Sequence, residues 1–149
     1  MGRIARIVAL SLASAACWDA IAFAAMPPMS KHVWGGVIAS PIIALGAGFA
    51  SVWFPRVSPV RRALFSLVSL YVAVALFGLS MGVYDLATGQ NSGSGWHRNA
   101  NEVVYQQALG TIYGLTFMGL FLALWPMAYA NHALLAKAWT SASRATGAD

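Results

Sequence analysis

The chain has 149 residues, of which 59% are hydrophobic and only 9% are charged, and its formal net charge is +5. A soluble domain carries about 25% charged residues and needs a polar surface. Nine basic and four acidic side chains are too few to form that surface, so the composition excludes a soluble globular enzyme. The apolar content also excludes a disordered protein, and no basic stripe with interleaved aromatic residues points to nucleic acid. An integral membrane protein with a single domain remains.

The first predicted helix covers about residues 4–26, in line with the roughly 20 apolar residues that a bilayer core requires. Arg3 and Arg6 precede this apolar run, which also fits a secretory signal, and Cys17 stands where a lipoprotein cysteine would. Because the apolar run continues well past Cys17, we expect the segment to be retained as a membrane span.

Three further apolar runs of spanning length follow, at about residues 33–54, 63–86 and 105–130. The last of them can continue as helix toward Trp139. Proline, glycine and asparagine separate the runs, as expected of turns and loops. The predicted fold class is therefore an all-α integral membrane protein, a bundle of four transmembrane helices.

The Lys and Arg residues predict the orientation of this bundle, because cytoplasmic connections carry an excess of them. Seven are expected on one side: Arg3, Arg6, Arg56, Arg61, Arg62, Lys137 and Arg144. Lys31 and Arg98 are expected on the other. Both termini, with a tail at about residues 138–149, are thus predicted to face the cytoplasm, and a polar loop at about residues 87–101 the exterior. The predicted location is a bacterial-type inner membrane.

Small residues predict how the helices pack, since they let helix backbones approach each other in lipid. They recur at helical spacing on the second, third and fourth spans: Gly36, Ser40, Gly48, Gly78, Gly82, Gly110 and Gly114. These faces favour a compact bundle, and they equally favour docking onto the helices of another protein.

Asp19 is the acidic residue that lies within a predicted span away from its ends. A carboxylate at this depth is costly, so it must face protein or water, or carry a proton. One interpretation is a buried polar anchor that pairs with Arg98, with Lys31 or with a neighbouring subunit. The other is a coupling site for protons or cations. Asp85 and Glu102 are expected at the membrane interface.

Three histidines are candidate cofactor ligands: His32, His97 and His132. None lies in the middle of a predicted span, and His132 is expected at the opposite side of the bilayer from the other two, so a haem shared with either is excluded. No Cys/His spacing predicts a metal site. We therefore predict no cofactor or metal, and only lipids or pigments at the bundle surface.

These features predict a non-catalytic accessory subunit of a larger membrane complex, with other integral membrane subunits and lipids as partners. An energy-transducing complex, respiratory or photosynthetic, is the expected host. A small transporter coupled through Asp19 is the first alternative. A membrane enzyme acting on lipid, with Asp19, Glu102 and His97 as acid or base groups, is the second.

Overall fold

The computed structural model describes residues 2–25, 30–89 and 100–145 of the chain. These ranges are helical and contain no β-strand. Five α-helices and one 3-10 turn follow one another: α1 (Arg3–Ala25), α2 (Ser30–Ala50), the 3-10 turn (Ser51–Arg56), α3 (Pro59–Thr88), α4 (Ala100–Phe117) and α5 (Leu120–Ala145). The predicted all-α class is confirmed over these residues.

Three segments are long and apolar enough to cross a membrane: Ile4–Ala24, Val33–Arg56 and Pro59–Thr88. They correspond to the first three predicted spans. The pair formed by α4 and α5 adds a fourth segment if both helices are counted as one bent span. The chain is thus compatible with a multi-pass membrane protein.

The fourth predicted span, at about residues 105–130, is divided in two. α4 ends at Phe117, α5 begins at Leu120, and the two helices are bent by 97° relative to each other. Gly119 lies between them with a φ of +68°, a left-handed conformation that a side chain disfavours. The apolar run continues across this break, which is why hydropathy alone predicts one helix. α5 then extends to Ala145, so most of the predicted tail is helical.

Consecutive helices are neighbours, and α5 packs across α1, α3 and the 3-10 turn. α4 runs antiparallel to α3 and ends before it reaches the start of α3. Near the end of α4, Thr116 Oγ1 lies 3.1 Å from the Tyr71 hydroxyl. Tyr71 is twelve residues from the start of α3 at Pro59, which is about 18 Å along a helix. The turn at Gly119 therefore lies beside the middle of α3, and α5 crosses the bundle from there.

Arg62 closes the connection between the 3-10 turn and α3. Its Nε donates to the Val57 carbonyl at 3.0 Å, and its Nη2 donates to the Pro55 carbonyl at 2.8 Å. The guanidinium also lies 5.9 Å from the centre of the Phe54 ring, within the range of a cation–π contact. A residue predicted only to set membrane orientation thus also fixes a turn.

Candidate functional site

The Asp19 carboxylate lies at the contact between α1 and α2, partly buried. The Ser40 hydroxyl donates to Asp19 Oδ2 at 2.7 Å. The other carboxylate oxygen, Oδ1, is buried and has no hydrogen-bond partner within the described part of the chain. The sequence predicts both residues, Asp19 as an anchor and Ser40 as a packing residue, but it does not predict their hydrogen bond.

A backbone carbonyl completes this group. The Ser40 hydroxyl also lies 3.0 Å from the Val37 carbonyl oxygen. That carbonyl has no helical donor, because Pro41 stands four residues later and has no backbone N–H. The Ser40-Pro41 pair is the sequence signal for this arrangement. It brings three kinds of oxygen together, and we call Asp19, Ser40 and the Val37 carbonyl the Asp19 site.

A second acid is buried where the sequence predicts an interfacial one. Asp85 is 0% exposed and accepts a hydrogen bond from Gln107 Nε2 at 3.2 Å. The reason is the close approach of α4, since a Cβ atom at Gly82 would lie 2.7 Å from Val104 Cα. Glu102, in contrast, is exposed and accepts from Gln106. Asp85 therefore belongs to the α3–α4 contact and is buried there rather than hydrated.

The acids of the described residues do not converge on one centre. Asp19 lies between α1 and α2, and Asp85 lies between α3 and α4. Within the described ranges, no three His, Cys, Asp or Glu side chains are placed to hold a metal ion together. Arg98 and His97 lie outside the described residues, as does the side chain of His32. Their predicted roles therefore remain predictions.

His132 is buried and contacts two serines and two aromatic rings among the described residues. It is 2% exposed, and its Nδ1 and Nε2 lie 2.7 Å from Ser51 Oγ and 2.8 Å from Ser69 Oγ. The imidazole stacks on Phe54 at 5.7 Å and meets the edge of Phe65 at 5.1 Å. The sequence predicts an interfacial side chain here, whereas the crossing path of α5 buries it.

The two ring nitrogens of His132 have complementary roles. The Ser51 hydroxyl lies within hydrogen-bond distance of both the Ala47 carbonyl oxygen, at 2.8 Å, and Nδ1. A neutral imidazole carries one N–H, so one ring nitrogen donates to its serine and the other accepts from its serine. This chain of bonds satisfies a neutral imidazole at both nitrogens and joins α2, α3 and α5. Its geometry explains the packing of α5.

The glycines among the predicted packing residues fall into two groups. At the first, a Cβ atom would overlap with a neighbouring helix: Gly36, Gly48, Gly78 and Gly82. At Gly78 the overlapping atoms include Ala108 Cα at 2.8 Å and Gln107 O at 2.9 Å. The second group, Gly110 and Gly114 on α4, lies in open space, with no atom of the described residues within 4 Å of an added Cβ. Within the described residues, the first group marks the places where two helices of this chain approach closely.

Comparison of the chain with protein-family models, with characterised proteins and with solved structures found no match.

Proposed function

We propose that the chain is a non-catalytic accessory subunit of a larger membrane complex, and that α4 is the helix with which it docks. The observation that carries this proposal is the open space at Gly110 and Gly114. Glycines four residues apart let a second helix approach closely in lipid. Within this chain, α4 approaches Gly78 and Gly82 of α3 with Val104, Ala108 and Thr111.

The surroundings of the two glycines fit a helix as the occupant. Tyr113 and Phe117 lie beside them on α4, and their rings contact each other at 5.6 Å between centroids. Phe117 is 80% exposed and Met118 is 74% exposed. A groove of glycine backbone flanked by aromatic rings presents the shape that an apolar helix of a partner fills. Partner subunits of an energy-transducing complex, with lipids at the seams, are the proposed neighbours.

The proposed location is a bacterial-type inner membrane with both termini in the cytoplasm. The distribution of Lys and Arg supports this orientation. Arg56, Arg61 and Arg62 lie in and after the 3-10 turn. α1 begins near the same end of the bundle, because Ser11 contacts Gly48 close to the end of α2.

Purification in mild detergent, with identification of copurifying proteins, tests the proposal. A photo-crosslinking residue in place of Tyr113 should capture an integral membrane partner, and Gly110→Leu with Gly114→Leu should abolish capture by filling the groove. Gly46→Leu is the matched control, since Gly46 on α2 also has no atom within 4 Å of an added Cβ. The proposal is wrong if the protein purifies alone, or if the α4 variants and the control retain the partner equally.

A further inference from the structure

We propose that α3 carries a binding site for one anionic phospholipid of the cytoplasmic leaflet. The site is the recess beside the first turns of α3, with an acyl chain beneath the end of α4 and the phosphate at Arg61. The proposal rests on the membrane location proposed above, but it does not depend on a partner subunit. The recess is also separate from the Asp19 site, which lies between α1 and α2.

The recess exists because α4 covers only part of one face of α3. At Gly78 and Gly82 the backbone of α4 lies against this face, and near the end of α4 the Thr116 hydroxyl contacts Tyr71. α5 then turns away by 97° instead of continuing along α3. The part of the face between Tyr71 and the start of α3 at Pro59 is therefore not covered by α4.

Exposed apolar side chains line this uncovered part of α3. Val60 and Leu64 precede Gly78 by 18 and 14 residues, which is about five and four helical turns, so the three residues share a face. Val60 is 70% exposed and Leu64 is 55% exposed. α5 packs on a different face of this part of α3, where the Trp125 indole donates to Ser66. The recess is thus an apolar surface that is open to the surroundings.

The length of the recess matches one leaflet of a bilayer. From Pro59 to Tyr71 the helix rises by about 18 Å, and the hydrocarbon of one leaflet is about 15 Å thick, half of the bilayer core. The turn after α4, which contains the exposed Met118, therefore lies near the middle of the bilayer. An acyl chain of the cytoplasmic leaflet fits this length, whereas a membrane-spanning helix is about twice as long.

The charge at the cytoplasmic end of the recess favours an anionic headgroup. Arg61 is exposed there, and Arg56 adds a second exposed cation just before α3. Arg62, in contrast, donates to backbone carbonyls of the turn. The sequence has no acidic residue at positions 20–84 or 103–148, so neither this half of α3 nor α5 offers a carboxylate to Arg61. A lipid phosphate supplies the missing negative charge, to which arginine binds well.

Native mass spectrometry of the full-length protein tests the proposal. The protein is reconstituted in vesicles of phosphatidylcholine and phosphatidylglycerol in equal amounts, and it is then released in mild detergent. We expect one phosphatidylglycerol molecule to be retained in preference to phosphatidylcholine. Arg61→Gln should weaken this retention roughly fivefold, since it removes one cation near the membrane surface. Arg6→Gln is the matched control, because it removes an exposed cation of α1 and should leave retention unchanged.

A bulky side chain tests the apolar part of the recess. Leu64→Trp should fill it and lower the retention of phosphatidylglycerol. Val83→Trp is the matched control, since Val83 is 57% exposed on the other half of the same helix, and it should have no effect. A photo-crosslinking residue in place of Leu64 should gain the mass of a phospholipid.

Size-exclusion profiles and helical circular dichroism of the variants confirm that each one folds. Equal retention of the two lipids by the inserted protein would overturn this site alone, as would equal retention by the Arg61→Gln and Arg6→Gln variants. Capture of a protein at position 64 would also overturn it, because a partner helix would then occupy the recess. Failure of the protein to float with the vesicles would overturn the membrane location and this site together.

Discussion

The indole Nε1–H of Trp139 donates a hydrogen bond to the backbone carbonyl of Gly48, 3.1 Å away. Trp125, at the other end of α5, donates to the Ala63 carbonyl and to Ser66 Oγ, each at 3.0 Å. A buried indole N–H needs such a partner, so both contacts orient the helix as well as bury it. α5 is thus held by two tryptophans, with His132 between them.

We expect His132→Ala to lower the free energy of unfolding by about 2 to 3 kcal/mol, because it leaves the Ser69 hydroxyl unpaired and opens a space between Phe54 and Phe65. Thermal unfolding in detergent measures the effect. Lys137→Ala is the matched control on an exposed face of the same helix and should have almost no effect. Equal stability of the two variants would show that His132 does not hold α5 in place.

We expect Gly78→Ala to destabilise the α3–α4 contact by about 1 to 3 kcal/mol, since the added methyl group meets backbone atoms of α4 that no rotamer change can move. Gly110→Ala adds the same methyl group in open space and should be neutral. Chemical unfolding monitored by tryptophan fluorescence compares the two. A Gly78→Ala protein as stable as the Gly110→Ala protein would contradict this close packing.

We expect Gly119→Ala to cost about 1 to 2 kcal/mol, because the bend between α4 and α5 requires a left-handed backbone at this residue. Gly114→Ala, within the regular part of α4, is the control and should be tolerated. Spin labels at Tyr113 and Met127, on either side of the bend, report its angle through their distance. An unchanged distance together with unchanged stability in Gly119→Ala would contradict the role of this glycine.

We expect Gln107→Leu to destabilise the protein by about 1 to 3 kcal/mol, because the buried Asp85 loses a donor. Gln106→Leu is the adjacent control: Gln106 donates to the exposed Glu102, and an exposed hydrogen bond contributes little. Thermal unfolding of both variants separates the two cases. A larger loss for Gln106→Leu would place the important pair at the surface instead.

Hydropathy and charge predict a large part of this fold. α1, α2 and α3 are continuous apolar runs that end at proline-rich or polar segments, and local composition fixes such ends. The break after Phe117 is different, because a single glycine inside an apolar run does not reveal whether its φ is positive. Only packing against the middle of α3 selects the bent form over a straight helix.

The sequence predicts which polar residues matter better than it predicts their partners. Asp19 is prominent because an acid within a span is rare. Its partner Ser40 lies 21 residues away on another helix, and the hydropathy of the sequence does not indicate that contact. The same holds for His132, since the serines that bind it lie 81 and 63 residues earlier. Asp85 is buried because α4 covers it, which depends on the small size of Gly82.

The long reach of the α5 contacts has a consequence for how the protein is made. Its polar side-chain bonds to the rest of the chain join residues 59 to 91 positions apart. Ser51, Ser66 and Ser69 are therefore synthesised before their partners on α5. Until α5 is present, the hydroxyls of Ser51 and Ser66 can bond to carbonyls of their own helical segments. These local bonds lower the free-energy cost of leaving the hydroxyls without their partners on α5. These contacts can therefore form only after α5 has followed the other four described helices.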